Sequence, residues 1–129
     1  MSDIWNAASG KTLNCAFIEM DTYGMHPSMI MEFDNIYYEL RVNLDFDSLE
    51  INIITADEFS IIRKKNTYKA VLQNFIGGRL SLYWLMVNDL GYMDALQMNF
   101  VDCPVECPMI QIFCSALGFS IYELVEHDK

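Results

Sequence analysis

Histidine is scarce in this sequence, and the motifs of the common enzyme classes are missing. Only two of the 129 residues are histidines, His26 directly before a proline and His127 near the C-terminus. A nucleophile needs a neighbouring base to activate it, and G-x-S-x-G, P-loop and dinucleotide-binding patterns do not occur. Acidic residues are abundant, but their spacing singles out no pair for glycosidase-type chemistry. We therefore predict a protein that is not an enzyme and needs no cofactor.

Long apolar runs are also missing, although hydrophobic residues make up 53% of the chain. No run reaches the roughly 18 residues of a membrane-spanning helix. The N-terminal residues Met-Ser-Asp-Ile-Trp lack the basic region and apolar core of a signal peptide. These absences predict a cytoplasmic protein that does not contact membranes.

The four cysteines form no complete metal-binding pattern. Cys103 and Cys107, with His26 or His127, can in principle ligate zinc, because thiolate and imidazole are its preferred ligands. Their spacing has no matching second pair, and the two prolines of this segment exclude regular structure from 102 to 108. In the cytoplasm we expect reduced thiols rather than disulfides. The segment is predicted to be a loop without metal.

The stretch from Gly78 to Phe100 predicts a long β-hairpin. Strands Leu80–Val87 and Asp94–Phe100 flank Asn88-Asp89-Leu90-Gly91, residue types that favour a turn. The first of the two strands is apolar on both faces, which is typical of a central strand covered on each side. We therefore expect Trp84 to lie in the core.

An earlier segment repeats this pattern. The segment 24–33 matches 91–100, with identical Gly at 24/91, Met at 31/98 and Phe at 33/100, and Gly10-Lys11 corresponds to Gly78-Arg79. A short helix-like stretch closed by glycine precedes each half, at Asp3–Ser9 and at Tyr68–Ile76. Each half is therefore predicted to be one helix followed by four strands.

The predicted fold is α+β and mainly antiparallel β-sheet, either a meander or a half-barrel. It consists of two α-ββββ pseudo-repeats with two short helices. We expect one domain over residues 1–129, with the halves at about 1–58 and 67–129.

Regular alternation marks the strands of the first half. The predicted strands are Thr12–Asp21, Ser28–Phe33, Ile36–Asn43 and Leu49–Thr55, and those of the second half after the hairpin are Met109–Cys114 and Phe119–Glu126. Alternation in the third strand predicts a sheet with one wet face. Between the halves, Asp57 to Asn66 is expected to be a solvated linker. Its basic cluster, Arg63-Lys64-Lys65, is alternatively a docking patch for an acidic surface.

Charge is distributed unequally along the chain. The formal net charge is −10, and residues 1–58 hold eleven acidic residues against only Lys11 and Arg41, while residues 59–129 are nearly balanced. An acidic half repels nucleic acid and anionic membranes and attracts basic proteins. We therefore expect a basic protein partner.

Three segments resemble an uncharacterised family of small bacterial domains. They are Gly10-Lys11-Thr12-Leu13, the turn from Asp45 to Ile51, and Trp84…Asn88…Gly91-Tyr92-Met93-Asp94. Such domains look like immunity proteins, which are encoded beside polymorphic or contact-dependent toxins. The resemblance implies a cytoplasmic inhibitor that binds and blocks one toxin domain without catalysis of its own. The segment from Cys103 to Pro108 is outside this pattern.

We place the expected toxin contact on the acidic half, where charge complementarity would give fast and specific association. The predicted toxin-binding residues are Glu19, Asp21, Glu32, Asp34, Tyr37, Glu39, Asp45, Asp47 and Glu50. The alternative is a structural or regulatory module that homodimerises through an exposed sheet edge. A third possibility, a sheet that binds a small molecule, requires a sizeable apolar pocket.

Overall fold

The computed structural model describes residues 4–19, 27–43, 48–65, 68–87, 89, 91, 93–103, 106–115 and 118–126. A 3₁₀ helix, Ile4–Ala8, precedes strands β1 (Leu13–Glu19), β2 (Ser28–Phe33), β3 (Ile36–Asn43) and β4 (Ser48–Ile54). Helix α1 (Ala56–Lys64), strand β5 (Tyr68–Ala70) and a second 3₁₀ helix (Gln73–Phe75) follow. The remaining strands are β6 (Arg79–Val87), β7 (Met93–Val101), β8 (Glu106–Ser115) and β9 (Gly118–Glu126).

The strands form two open antiparallel sheets. The first has the order β4-β3-β2-β1-β5 and the second the order β6-β7-β8-β9. Strands that follow one another in the sequence pair antiparallel, so β1 to β4 form one meander and β6 to β9 form another. The α+β class and the mainly antiparallel architecture are therefore confirmed, with one meander in each half of the chain.

The predicted helices differ from those in the structure. The first predicted helix is a 3₁₀ helix over Ile4–Ala8, and the second, Tyr68–Ile76, is wrong. There Tyr68–Ala70 pairs with β1, and Leu72 takes a left-handed conformation with φ of 59° before the 3₁₀ turn. Backbone pairing with β1 and burial of Phe75 in the core outweigh the helical periodicity of this segment.

Helix α1 occupies the segment that was predicted to be a linker. Thr55 begins it with a capping box: Glu58 N donates to Thr55 Oγ1 at 3.1 Å, and Thr55 N donates to Glu58 Oε1 at 3.1 Å. Such reciprocal bonds satisfy two backbone donors that the first turn leaves free. The linker prediction is therefore wrong, and the basic cluster 63–65 lies at the end of a helix.

Strand β8 begins earlier than the prolines suggested. It starts at Glu106, inside the predicted loop, and includes Pro108. Its register with β9 shifts between Glu106 and Met109. A bulge is one of the few places in a strand that tolerates a residue without an N–H donor, which is why regular structure extends through the proline.

The inner faces of the two sheets enclose one core. Its largest fully buried side chains include Trp5, Phe33, Tyr38 and Phe75. Trp5 stacks on Tyr38 with ring centroids 4.0 Å apart, and Tyr38 Oη donates to the carbonyl of Ile4 at 2.7 Å. Stacking and this hydrogen bond hold the first 3₁₀ helix against the first sheet.

The two sheets meet where β1 and β6 begin. Thr12 and Arg79 form an isolated antiparallel bridge, and Leu80 N donates to the carbonyl of Lys11 at 3.0 Å. Gly10 N donates to the carbonyl of Leu80 at 2.8 Å. The glycine–basic pairs that sequence comparison matched between the halves are therefore next to each other in space.

Candidate functional site

Three cross-strand rows cross the outer face of the first sheet, the face turned away from the second sheet. Read from β1 to β4, they are Cys15–Glu32–Tyr37–Ile54, Phe17–Ile30–Glu39–Asn52 and Glu19–Ser28–Arg41–Glu50. Strand alternation places them together, because the paired residues of antiparallel strands point to the same side. Six of the nine predicted toxin-binding residues lie in these rows or, in the case of Asp34, next to them.

Helix α1 covers the apolar part of this face. Phe59 and Ile62 pack on a small cluster of Phe17, Ile30 and Ile54, and the Tyr37 and Phe59 rings lie 4.4 Å apart. The prediction of one wet face is therefore wrong where helix α1 packs on this sheet. Tyr37 is half-buried and contributes to helix packing.

Two of the predicted acidic residues on this face are paired within the molecule. Glu19, only 7% exposed, accepts from Lys65 Nζ at 3.1 Å. Glu39, 9% exposed, accepts from Arg41 Nε at 3.0 Å and from the same guanidinium through Nη2 at 3.3 Å. A buried charge must be paired to offset its desolvation. The charges of these two carboxylates are therefore already paired within the chain.

Glu32 and Asp34 form a separate group with Asn14, which we call the acidic corner. Asn14 Nδ2 donates to Glu32 Oε2 at 3.1 Å and to Asp34 Oδ1 at 3.2 Å. Backbone donors complete it: Thr12 N lies 3.0 Å from Asp34 Oδ2 and Asn35 N lies 3.3 Å from Glu32 Oε2. Among the described residues, neither carboxylate forms an ion pair.

Hydrogen bonding favours the charged form of Asp34 in the acidic corner. The bond from Thr12 N, followed by the one from Asn14, lowers the pKa of Asp34 below its ordinary value. Asp34 is exposed at the tight turn between β2 and β3. Two oriented carboxylates, one of them readily ionised, suit an incoming guanidinium or ammonium group.

Of the remaining predicted toxin-binding residues, one lies on the outer face of the first sheet and three lie outside the described residues. Glu50 belongs to the third row and accepts from Asn43 Nδ2 at 2.9 Å. Asp21, Asp45 and Asp47 lie outside the described residues. The structure therefore separates the described acids of the predicted set into the acidic corner at one end of β2 and, toward its other end, Glu19, Glu39 and Glu50, which bond to Lys65, Arg41 and Asn43.

The outer face of the second sheet has a different character, which sequence analysis missed. One row across its four strands is Trp84–Gln97–Gln111–Tyr122, and Gln111 Nε2 donates to Gln97 Oε1 at 2.8 Å. Trp84 is 45% and Tyr122 54% exposed. The neighbouring rows, Leu82–Asn99–Met109 and Met86–Ala95–Phe113–Ser120, contain no charged residue either.

Trp84 is therefore not a core residue, and β6 is not a central strand. The prediction relied on apolar side chains on both faces, but β6 lies at the edge of its sheet. Leu80, Tyr83 and Leu85 contact the core, while Leu82 and Trp84 face outward. No local signal separates an apolar edge strand from a central one, since both have the same side-chain pattern.

An apolar cleft of about 340 Å³ opens between the sheets, a volume within the range of ligand pockets. It is lined by Ile4, Trp5, Leu49, Glu50, Ile51, Asn52, Leu85 and Met93. Trp5 Nε1 is buried and finds no acceptor among the described residues. The cleft is large enough for a small molecule, but few polar groups point into it.

The Cys15 and Cys103 thiols are not activated. Burial raises the pKa of both Cys15 and Cys103, although the nearby Arg63 guanidinium partly opposes the shift at Cys15. A reactive cysteine has a lowered pKa instead. No group of three or more His, Cys, Asp or Glu side chains in the described part of the chain is placed to hold a metal ion. His26, His127 and the Cys107 side chain are outside that part.

Among the described residues, no helix has the length and apolar character needed to cross a membrane.

These features define a small α+β protein of two antiparallel meanders, with an acidic corner on one sheet and three uncharged rows on the outer face of the other. Residues 1–126 match the model of the Family of unknown function DUF6334, so the chain belongs to that family. No curated protein and no solved structure matches the chain.

Proposed function

We propose that this protein is a cytoplasmic immunity protein that binds a basic toxin domain through the acidic corner and blocks it. The observation that carries the proposal is the contrast between two sets of acids. Glu19 and Glu39 are neutralised by Lys65 and Arg41, whereas no cation pairs with Glu32 or Asp34 among the described residues.

The corner is already arranged for binding. Asn14 and two backbone N–H groups orient both carboxylates, so little side-chain freedom is lost when a partner arrives. A guanidinium placed there gains charge-assisted hydrogen bonds, which are stronger than neutral ones.

The net charge of the chain supports the same role. At −10 the protein attracts a basic partner over a distance, and such steering raises the association rate at low ionic strength. Toxin domains that act on nucleic acid have basic clefts, which an acidic protein can occupy. Inhibition by occupation requires no catalytic group on this chain.

The test uses the protein encoded by the reading frame next to the gene for this chain. Its C-terminal domain is produced alone and together with this chain, and cell survival and the dissociation constant are measured. We expect the chain to restore survival and to bind the domain. Failure of the wild-type chain to bind or protect would overturn the proposed function.

An isosteric pair of substitutions tests the site. Glu32→Gln with Asp34→Asn removes two charges without changing shape, and we expect the affinity to fall about tenfold or more, with a weaker salt dependence. The matched control, Asp57→Asn with Glu123→Gln, removes two exposed charges elsewhere and should keep nearly the wild-type affinity. Equal affinities of the two variants would place the contact on another surface.

A further inference from the structure

The four edges of the two sheets are protected to different degrees. Natural sheets shield an exposed edge by keeping it short or by placing charges on it. Strand β4 carries Glu50, β9 carries Glu123, and β5 has only three residues, one of them Lys69. Strand β6 has nine residues and no charge after Arg79, so it is the edge most open to pairing with another strand.

The exposed part of β6 is a short regular segment between two irregularities. Its register with β7 shifts between Leu80 and Leu82 and again between Met86 and Val87. The segment between these shifts, Leu82–Met86, is centred on Trp84. None of the described strands pairs with its free edge.

We propose that β6 pairs antiparallel with β6 of a second copy of this chain, about a two-fold axis at Trp84. Directly opposite residues in an antiparallel pair point to the same face. The outward residues of one copy must therefore oppose outward residues of the other. Centring the pair on the regular segment places Trp84 opposite Trp84 of the second copy and Leu82 opposite Met86.

Charge makes this edge the favoured one for self-association. A protein with a net charge of −10 repels its own copies over most of its surface. The three outward rows that begin at Leu82, Trp84 and Met86 contain no acidic side chain, so this repulsion is weak along them.

The size of the contact sets the expected strength. A stable interface buries roughly 800 Å² on each partner, and a five-residue ladder spans only about 17 Å. The backbone pairing therefore depends on the exposed Leu82 and Trp84 side chains for most of its apolar burial. Tryptophan at the centre of an interface is a frequent hot spot, and we expect a dimer with a micromolar dissociation constant.

Sedimentation equilibrium of the full chain, from low micromolar to several hundred micromolar concentration, tests the proposal. Wild type should shift from monomer to dimer across this range. Trp84→Lys places two cations on the axis and should leave a monomer throughout. Tyr122→Lys is the matched control, because it changes a similarly exposed aromatic residue of the same row on the opposite edge strand, and it should dimerise like wild type.

A second variant guards against misfolding. Leu82→Lys, at an exposed position, should weaken the dimer at least tenfold while its circular dichroism spectrum remains that of wild type. A wild-type chain that stays monomeric at the highest concentration would overturn the proposal. Dimerisation abolished by Tyr122→Lys and retained by Trp84→Lys would overturn it as well and place the contact on β9. Neither outcome depends on toxin binding, so the proposed function is tested separately.

Discussion

The Phe33 and Phe100 rings stack almost parallel at the centre of the core, with centroids 6.4 Å apart and planes 6° apart. They occupy equivalent positions in the two halves of the chain, where β2 and β7 end. Each also contacts an aromatic ring of the 3₁₀ helix preceding its half: Trp5 lies 6.2 Å from Phe33, and Phe75 lies 5.5 Å from Phe100. Equivalent residues of the two halves of the chain are therefore in contact at the centre of the core.

Removing one ring should destabilise the protein strongly. Phe33 is fully buried, and Phe33→Ala is expected to lower the free energy of unfolding by about 3–5 kcal/mol, because apolar burial is lost and a cavity remains. Urea denaturation measures the change. Val101→Ala, at an exposed position of β7, serves as the control and should cost well under that amount. A loss below about 1 kcal/mol for Phe33→Ala would contradict the central role of the pair.

Gly78 lies where a side chain has no room. A Cβ atom there would collide with Cys103 Sγ and would sit 3.1 Å from the carbonyl oxygen of Phe75. Gly78→Ala is expected to lower the free energy of unfolding by about 1–3 kcal/mol, the usual effect of overpacking. Denaturation of Gly78→Ala, Cys103→Ala and the double variant forms a cycle. The double variant should recover part of the loss, and strictly additive effects would show that Cys103 is not the obstacle.

The capping box at Thr55 predicts a measurable contribution to helix α1. Thr55→Ala removes the acceptor for Glu58 N and should cost about 1 kcal/mol of unfolding free energy. Thr55→Ser retains the hydroxyl and should be nearly neutral. Chemical denaturation gives both values. If the serine and alanine variants were equally destabilised, the cap would not be the cause.

Asp34 should make the stability of the protein depend on pH. Since hydrogen bonds lower the pKa of Asp34 in the folded state, its stabilising effect is present above the unfolded pKa and is lost as pH falls through the folded one. The stability difference between wild type and Asp34→Asn should therefore be constant above about pH 5 and shrink below about pH 4. Denaturation across this range measures it.

The same shift can be observed directly by following the Asp34 carboxyl carbon by NMR as the pH changes. Asn14→Ala removes one of the two hydrogen bonds to this carboxylate, so it should raise the pKa of Asp34 toward its ordinary value. A pKa unchanged by Asn14→Ala would mean that Asn14 does not stabilise the charged form.

The local sequence pattern was sufficient to predict strands and turns where each residue strongly favours one backbone conformation. The strands Ser28–Phe33 and Ile36–Asn43 have the predicted bounds. Asp34 and Asn35 between them both take positive φ, 46° and 71°, a conformation that Asp and Asn tolerate better than most residues. Helix α1 also had a readable signal in Thr55-x-x-Glu58.

The candidate surfaces could not be predicted in detail, because they are formed by contacts between residues that are far apart in the sequence. Alternation along β3 identified an outer face, but it could not show that Phe59, more than fifteen positions later, packs on Tyr37. Composition located the excess of acids, but it could not show which of them the chain neutralises for itself. Lys65 and Glu19 are 46 residues apart in sequence.

The amino-acid sequence by itself determined the strand-rich α+β class, the duplicated arrangement of strands and the acidic character of the first half. Alternation, turn residues and charge are local properties, and each acts within a few residues. Only the tertiary structure decided that β6 is an edge strand with Trp84 outside the core, and that Glu19 and Glu39 are paired with cations while Glu32 and Asp34, within the described part of the chain, are not. An edge strand and a central strand share one local pattern and differ only in which strands lie beside them.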